Sequence, residues 1–170
     1  MRLRILSFCW AITLLCARLG AAPAESVYAP LALYAGTWTI TKSGAPAGTM
    51  PDTLKNICAR VGSFYACQQT VNNQPGNMMI FIPTNNPGHY YTQNVTLEGR
   101  ATSRGDLEIN GDRWVYSSTW DAGGHTVHYR TTNVFSGRNH IHFEQSESTN
   151  GKDWTTTASG DEQRVAGTSH

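Results

Sequence analysis

Two short stretches of the chain set reactive side chains at defined spacings. "ICARVGSFYAC", Ile57 to Cys67, carries a cysteine at each end of a segment centred on Gly62-Ser63, and "NHIHFE" places His140 and His142 on either side of Ile141. A thiol pair can run redox chemistry or close as a disulfide. The redox reading lacks the Cys-x-x-Cys spacing and the helix N-terminus that lower a thiol pKa. A two-residue turn at Gly62-Ser63, with Gly where a type II′ turn needs it, instead pairs Val61 with Phe64, Arg60 with Tyr65, Ala59 with Ala66 and Cys58 with Cys67. Counting outward from the turn puts the two cysteines at a non-hydrogen-bonded pair. Their Cα atoms are then about 4.5 Å apart, within reach of a bridge. A Cys58–Cys67 disulfide is the expectation.

Alternation along a strand projects His140 and His142 from one face, where two imidazoles could serve a metal ion. Glu144 on the same face or His128 on the preceding strand would complete the set. Ile141 and Phe143 compete for the inward side of that strand, and if they win it both histidines face solvent. Nine acidic residues are scattered between Asp106 and Glu162, most of them beside turns. Glycosidic chemistry needs two carboxylates facing each other across a cleft, and no such pair can be established from their spacing. Gly-x-Ser-x-Gly is absent, and "DAGGHT" lies between two expected strands rather than ahead of a helix, so it is no phosphate loop. Asn94-Val95-Thr96 is a glycosylation sequon, relevant in a eukaryotic host. "GNMMIFIP" and "HYYTQNV" bring Met78, Met79, Ile80, Phe81, Tyr90 and Tyr91 into adjacent strands. Met79, Phe81 and Tyr90 are the candidate apolar wall of a binding site, with methionine able to adapt its shape to a guest.

The elements that must position these groups are strands. Beyond Glu25 the chain runs in short alternating segments rich in Thr, Tyr, Trp and Val, bounded by Gly, Pro, Asn and Asp. Segments such as "GTWTITK", "TLKNICARV", "SFYACQQTV", "ATSRG", "DLEING", "DRWVYSSTWD" and "TVHYRTTNVF" predict about ten strands. Gly62-Ser63, Asn110-Gly111, Gly123-Gly124 and Asn150-Gly151 supply turn residues that accept positive φ. "YAPLALY" ahead of Gly36 is the helical candidate, a turn or so that could plug one end. A meander of this many hairpins buries one face of each strand most simply by closing into a barrel or folding into a sandwich.

The start of the chain addresses it for export. Arg2 and Arg4 precede the apolar run "ILSFCWAITLLCA", too short to span a bilayer comfortably, and Ala22-Pro23-Ala24 fits a small-x-small cleavage site. Residues 1–24 read as a signal peptide and residues 25–170 as one β-barrel domain with a frayed C-terminal tail. The expected location is periplasmic or secreted, with no membrane span after cleavage. Removing the leader takes away Arg2, Arg4 and Arg18 and no acid, leaving a net charge of −2. Without a Lys/Arg run the chain lacks the footprint of a nucleic-acid partner. The mature chain keeps Cys58 and Cys67 alone of the four cysteines, and an oxidising compartment favours pairing them.

With "GTW" opening the first strand and "WTTTASGDEQR" in the last, the chain resembles the calycin superfamily of lipocalin-like barrels. It is similar in particular to a bacterial family of exported lipocalin-like proteins, the DUF1579 type. "IHFEQSESTNGKDW" also resembles that family's tail. The resemblance implies a single antiparallel meander barrel in which Gly36 and Trp38 begin the first strand and Arg164, on the last, lies across Trp38 at the closed end. A guanidinium over an indole face, shielded from water, contributes roughly 1–2 kcal/mol and ties first strand to last. Trp38, Trp114 and Trp154 are expected in the core. Haem is suggested only by analogy with nitrobindins, barrels that hold it through one histidine; His89, His125, His128, His140 and His142 are available, and none matches the ligand position. These readings together favour an exported, non-enzymatic barrel without a cofactor that could hold a small apolar molecule in its lumen. The alternatives are a filled barrel serving envelope structure or assembly, and a haem protein, metal protein or enzyme built on the His140/His142 strand.

Overall fold

Inward and outward side chains alternate over segments of seven to eleven residues, and each segment becomes a strand. The structure, a computed structural model, describes residues 27–167. A 3-10 turn, Pro30–Tyr34, leads into β1 (Gly36–Lys42), β2 (Asp52–Val61), β3 (Phe64–Val71), β4 (Gln74–Pro83) and β5 (His89–Val95). The chain continues through β6 (Ala101–Asn110), β7 (Arg113–Asp121), β8 (Thr126–Ser136), β9 (His140–Ser148) and β10 (Thr155–Arg164). Every strand pairs antiparallel with the next, and β10 returns to pair with β1, so the sheet is a closed barrel. Closure satisfies the backbone donors and acceptors that an edge strand would expose. The expected signal peptide and cleavage site lie outside the described residues, as do the last three residues of the chain.

The hairpins are built as their turn residues require. Gly62 has φ 59° and Cys58 faces Cys67 across the β2–β3 ladder, with the two sulfurs bonded and a Cα separation of 4.0 Å. The β6–β7 turn is Gly111-Asp112 rather than Asn110-Gly111, because Asn110 still pairs with Arg113. Between β3 and β4 the turn is Asn72-Asn73, at φ 50° and 63°; two left-handed residues are what a type I′ turn requires, and asparagine tolerates that region best among non-glycine residues. The segments "ATSRG" and "DLEING" form one strand, not two. Gly105 marks a close approach there instead of a break: a Cβ on it would lie 2.2 Å from the Ser117 carbonyl oxygen of β7.

One end of the barrel is solid. Leu31 of the 3-10 turn, Trp38, Leu107, Trp114 and Ile141 are all buried, with Trp114 and Phe135 4.5 Å apart between ring centres. Arg164 faces Trp38 in the β1–β10 register, and its Cζ lies 4.1 Å from the indole centroid. The guanidinium also donates to the carbonyls of Arg138 (2.9 Å), Ala35 (2.5 Å) and Leu33. It thereby holds together the first strand, the last strand and the plug. Trp154 departs from the expected core position: it is half-buried, just ahead of β10, with the Arg130 guanidinium 4.2 Å above its ring.

Candidate functional site

Beyond the solid end the inward side chains stop meeting one another, and a cavity of about 390 Å³ occupies the lumen. Its apolar side is made by Ile40, Leu54, Met79, Phe81 and Phe143, and the Cys67 half of the disulfide forms part of the β3 wall. Gln69, Thr92, Ser118, Thr131 and Gln145 add neutral polar groups from five other positions around the ring. Lys42 and Arg104 also border it, both exposed, and Lys42 is held by Asp52 at 2.9 Å. The volume falls within the roughly 300–1,000 Å³ usual for small-molecule sites.

Two of the three residues expected from the sequence to form an apolar wall border this cavity. Met79 and Phe81 line the cavity, but Tyr90, also inward, belongs to the solid end, where its hydroxyl donates to the Val27 carbonyl and its ring packs against Tyr28. Met78 and Tyr91 are exposed, because alternation sends neighbouring residues of one strand to opposite faces. Asn94 also turns inward, with Nδ2 donating to Ser103 Oγ at 2.9 Å, so the sequon asparagine is not presented on the outer face.

The histidine strand is oriented by its apolar residues. Ile141 and Phe143 take the inside of β9, leaving His140 and His142 with 39% and 52% of their side chains exposed. Both contact Asp161 Oδ1 of β10, at 3.2 and 3.0 Å, and Glu144 is engaged elsewhere by Ser146 and Thr156. Among the described residues no group of three or more His, Cys, Asp or Glu side chains is arranged to hold a metal ion. None of the five histidines considered for haem lines the lumen. His89 forms a different constellation, with Nδ1 3.1 Å from Thr84 Oγ1 and Nε2 2.9 Å from Asp106 Oδ1. Its order is hydroxyl, imidazole, carboxylate, but the Thr84 hydroxyl is tied into the β4–β5 turn, accepting the Asn86 N–H at 3.1 Å.

The most perturbed groups sit at the floor of the lumen. Glu162 projects inward from β10, is 5% exposed, and its Oε2 has no hydrogen-bond partner. Burial pushes its carboxyl up from 4.5 to about 7. Tyr116 OH on β7 and Asn133 Oδ1 on β8 are likewise buried without partners, and all three residues line the cavity. Tyr34 and Tyr116 are both pushed well above the usual phenol range, first by burial and next by the Glu162 charge, which places the carboxylate within electrostatic reach of both rings. Sequence reasoning left Glu162 among scattered acids. Period-two logic could have singled it out: once Arg164 points inward at Trp38, the residue two positions earlier on the same strand points inward as well.

Neither a protein-family model nor a curated protein matches the chain. Among solved structures it is similar to the crystal structure of Rv2717c from M. tuberculosis, at 13% identity and a TM-score of 0.50, over 83% of this chain and 98% of that one. At that identity the likeness is one of fold: a closed ten-strand antiparallel barrel.

Proposed function

We propose that the protein is an exported, non-enzymatic lipocalin-like carrier or sensor barrel that holds one small amphipathic molecule in its lumen. The cavity of about 390 Å³, closed at the Trp38 end and walled by Met79, Phe81 and Phe143, is the observation that carries this reading. A small barrel serving only structure would be expected to fill its interior with its own side chains. The Cys58–Cys67 bridge supports a periplasmic or extracellular location, where disulfides persist.

The test is a neutral apolar fluorophore, N-phenyl-1-naphthylamine, titrated against the protein and against Ala158→Phe, which fills the lumen from β10. Saturable one-to-one enhancement that the lumen-filling substitution abolishes is the expected result. Absence of binding, or binding indifferent to Ala158→Phe, would overturn the reading.

A further inference from the structure

The floor of the lumen has a polarity that selects among ligands. Glu162 Oε2 and Asn133 Oδ1 can only accept hydrogen bonds when the carboxyl is ionised, and Tyr116 OH can accept as readily as donate. All three atoms are buried and unpartnered, whereas buried polar groups in folded proteins are almost always satisfied. A cavity lined by three residues that each keep such an atom unpaired is complementary to a group that brings donors and positive charge. A carboxylate or phosphate head would instead set like charges and acceptors against each other in a poorly solvated site.

The chain's own cations do not fill that role. Arg164 follows Glu162 by two residues on the same face, but its guanidinium is committed to the Trp38 ring and three backbone carbonyls. Lys42, on the neighbouring β1, is held by Asp52, and Arg104, on β6, is exposed. From β9 the cavity meets Phe143 and Gln145, neither of them charged. The 3-10 turn and β7 bring the phenols of Tyr34 and Tyr116, and β8 brings Tyr129 and Asn133. Aromatic faces next to a carboxylate are the setting in which an organic cation gains both ion pairing and cation–π attraction.

On the reading of the lumen as a ligand site, we propose that its floor is an ammonium subsite. Glu162, with Tyr116 and Asn133, takes the protonated head of an organic amine whose apolar body lies against Met79, Phe81 and Phe143. Binding a cation there restores the charge of a carboxyl that burial, by raising its pKa to about 7, keeps mostly protonated at pH 6. Uptake of the amine therefore expels a proton from Glu162.

Three probes with one body and different heads decide it: 4-phenylbutylamine, 4-phenylbutanol and 4-phenylbutanoate, each titrated calorimetrically near pH 6 in two buffers of different ionisation enthalpy. The amine is expected to bind at least tenfold tighter than the alcohol or the carboxylate and to release close to one proton. In Glu162→Gln the amine and the alcohol should bind within about twofold of each other. The buffer comparison on the unmodified protein stands even if that variant fails to fold. Alcohol or carboxylate binding as tight as the amine, or amine binding without proton release, overturns the ammonium subsite and leaves the lumen reading intact. If none of the three binds and N-phenyl-1-naphthylamine fails as well, both fall together.

Discussion

Glu162 ties the energetics of folding to the titration of one side chain. Its carboxyl is raised from 4.5 to about 7, so between those pH values the folded chain holds a proton that the unfolded chain has lost. Stability therefore falls as pH rises through that window, by about 3 kcal/mol in all at 1.36 kcal/mol for each unit of pH, and then levels off. Glu162→Gln removes the titration. Urea denaturation should show the variant gaining roughly 2–3 kcal/mol on the unmodified protein between pH 5 and pH 8, and parallel pH profiles for the two would refute this account. Arg164 acts at the same scale by connecting elements far apart in sequence. Arg164→Lys keeps the charge but loses the planar stack and the fork of N–H donors, so a loss of about 1–3 kcal/mol is expected in the same assay.

At the scale of elements, each strand depends on a few positions that cannot carry an ordinary side chain or lose their partner. Gly105 lets β6 lie against β7 where a Cβ would meet a backbone oxygen. Gly105→Ala should cost about 1–3 kcal/mol, seen as a lowered thermal midpoint, since a carbonyl moves less easily than a flexible side chain. The β2–β3 hairpin is stapled by Cys58 and Cys67. Its closed loop is short, so reduction should cost on the order of 2–3 kcal/mol by the chain-entropy account, and the native protein should resist thiol labelling until it is reduced. Strand positions, the Cys58–Cys67 register and the plugging 3-10 turn were legible because turn residues and period-two alternation are local signals. The union of "ATSRG" with "DLEING" was not, because the glycine that looks like a break in sequence is a packing requirement set by β7.

For the whole molecule, closure is the decisive event. The contact between β1 and β10 joins residues more than a hundred positions apart, such as Trp38 and Arg164. Truncation before β10 would expose two unpaired strand edges and remove Glu162 and Arg164 together. A chain ending at Trp154 should lose cooperative unfolding and associate, which circular dichroism and size-exclusion chromatography would show; a monomeric truncated chain with a sharp thermal transition would contradict the role given to closure. The same closure creates the lumen. Which side chains share that space depends on the arrangement of strands from both halves of the chain, so the cavity has no signature in any single segment.

The amino-acid sequence by itself determined the strand class, the hairpin order and the pairing of Cys58 with Cys67, all of which follow from alternation and turn chemistry over about ten residues. It also placed Ile141 and Phe143 in competition with His140 and His142 for the inside of β9. Only the tertiary structure decided that contest, moved Tyr90 from the binding wall to the solid end, and brought Glu162, Tyr116 and Asn133 from three strands to one floor. Burial is a property of the closed barrel rather than of any residue. A carboxyl that would be an ordinary solvated acid on an open strand is, inside, pushed up to about 7 because the barrel removes it from water.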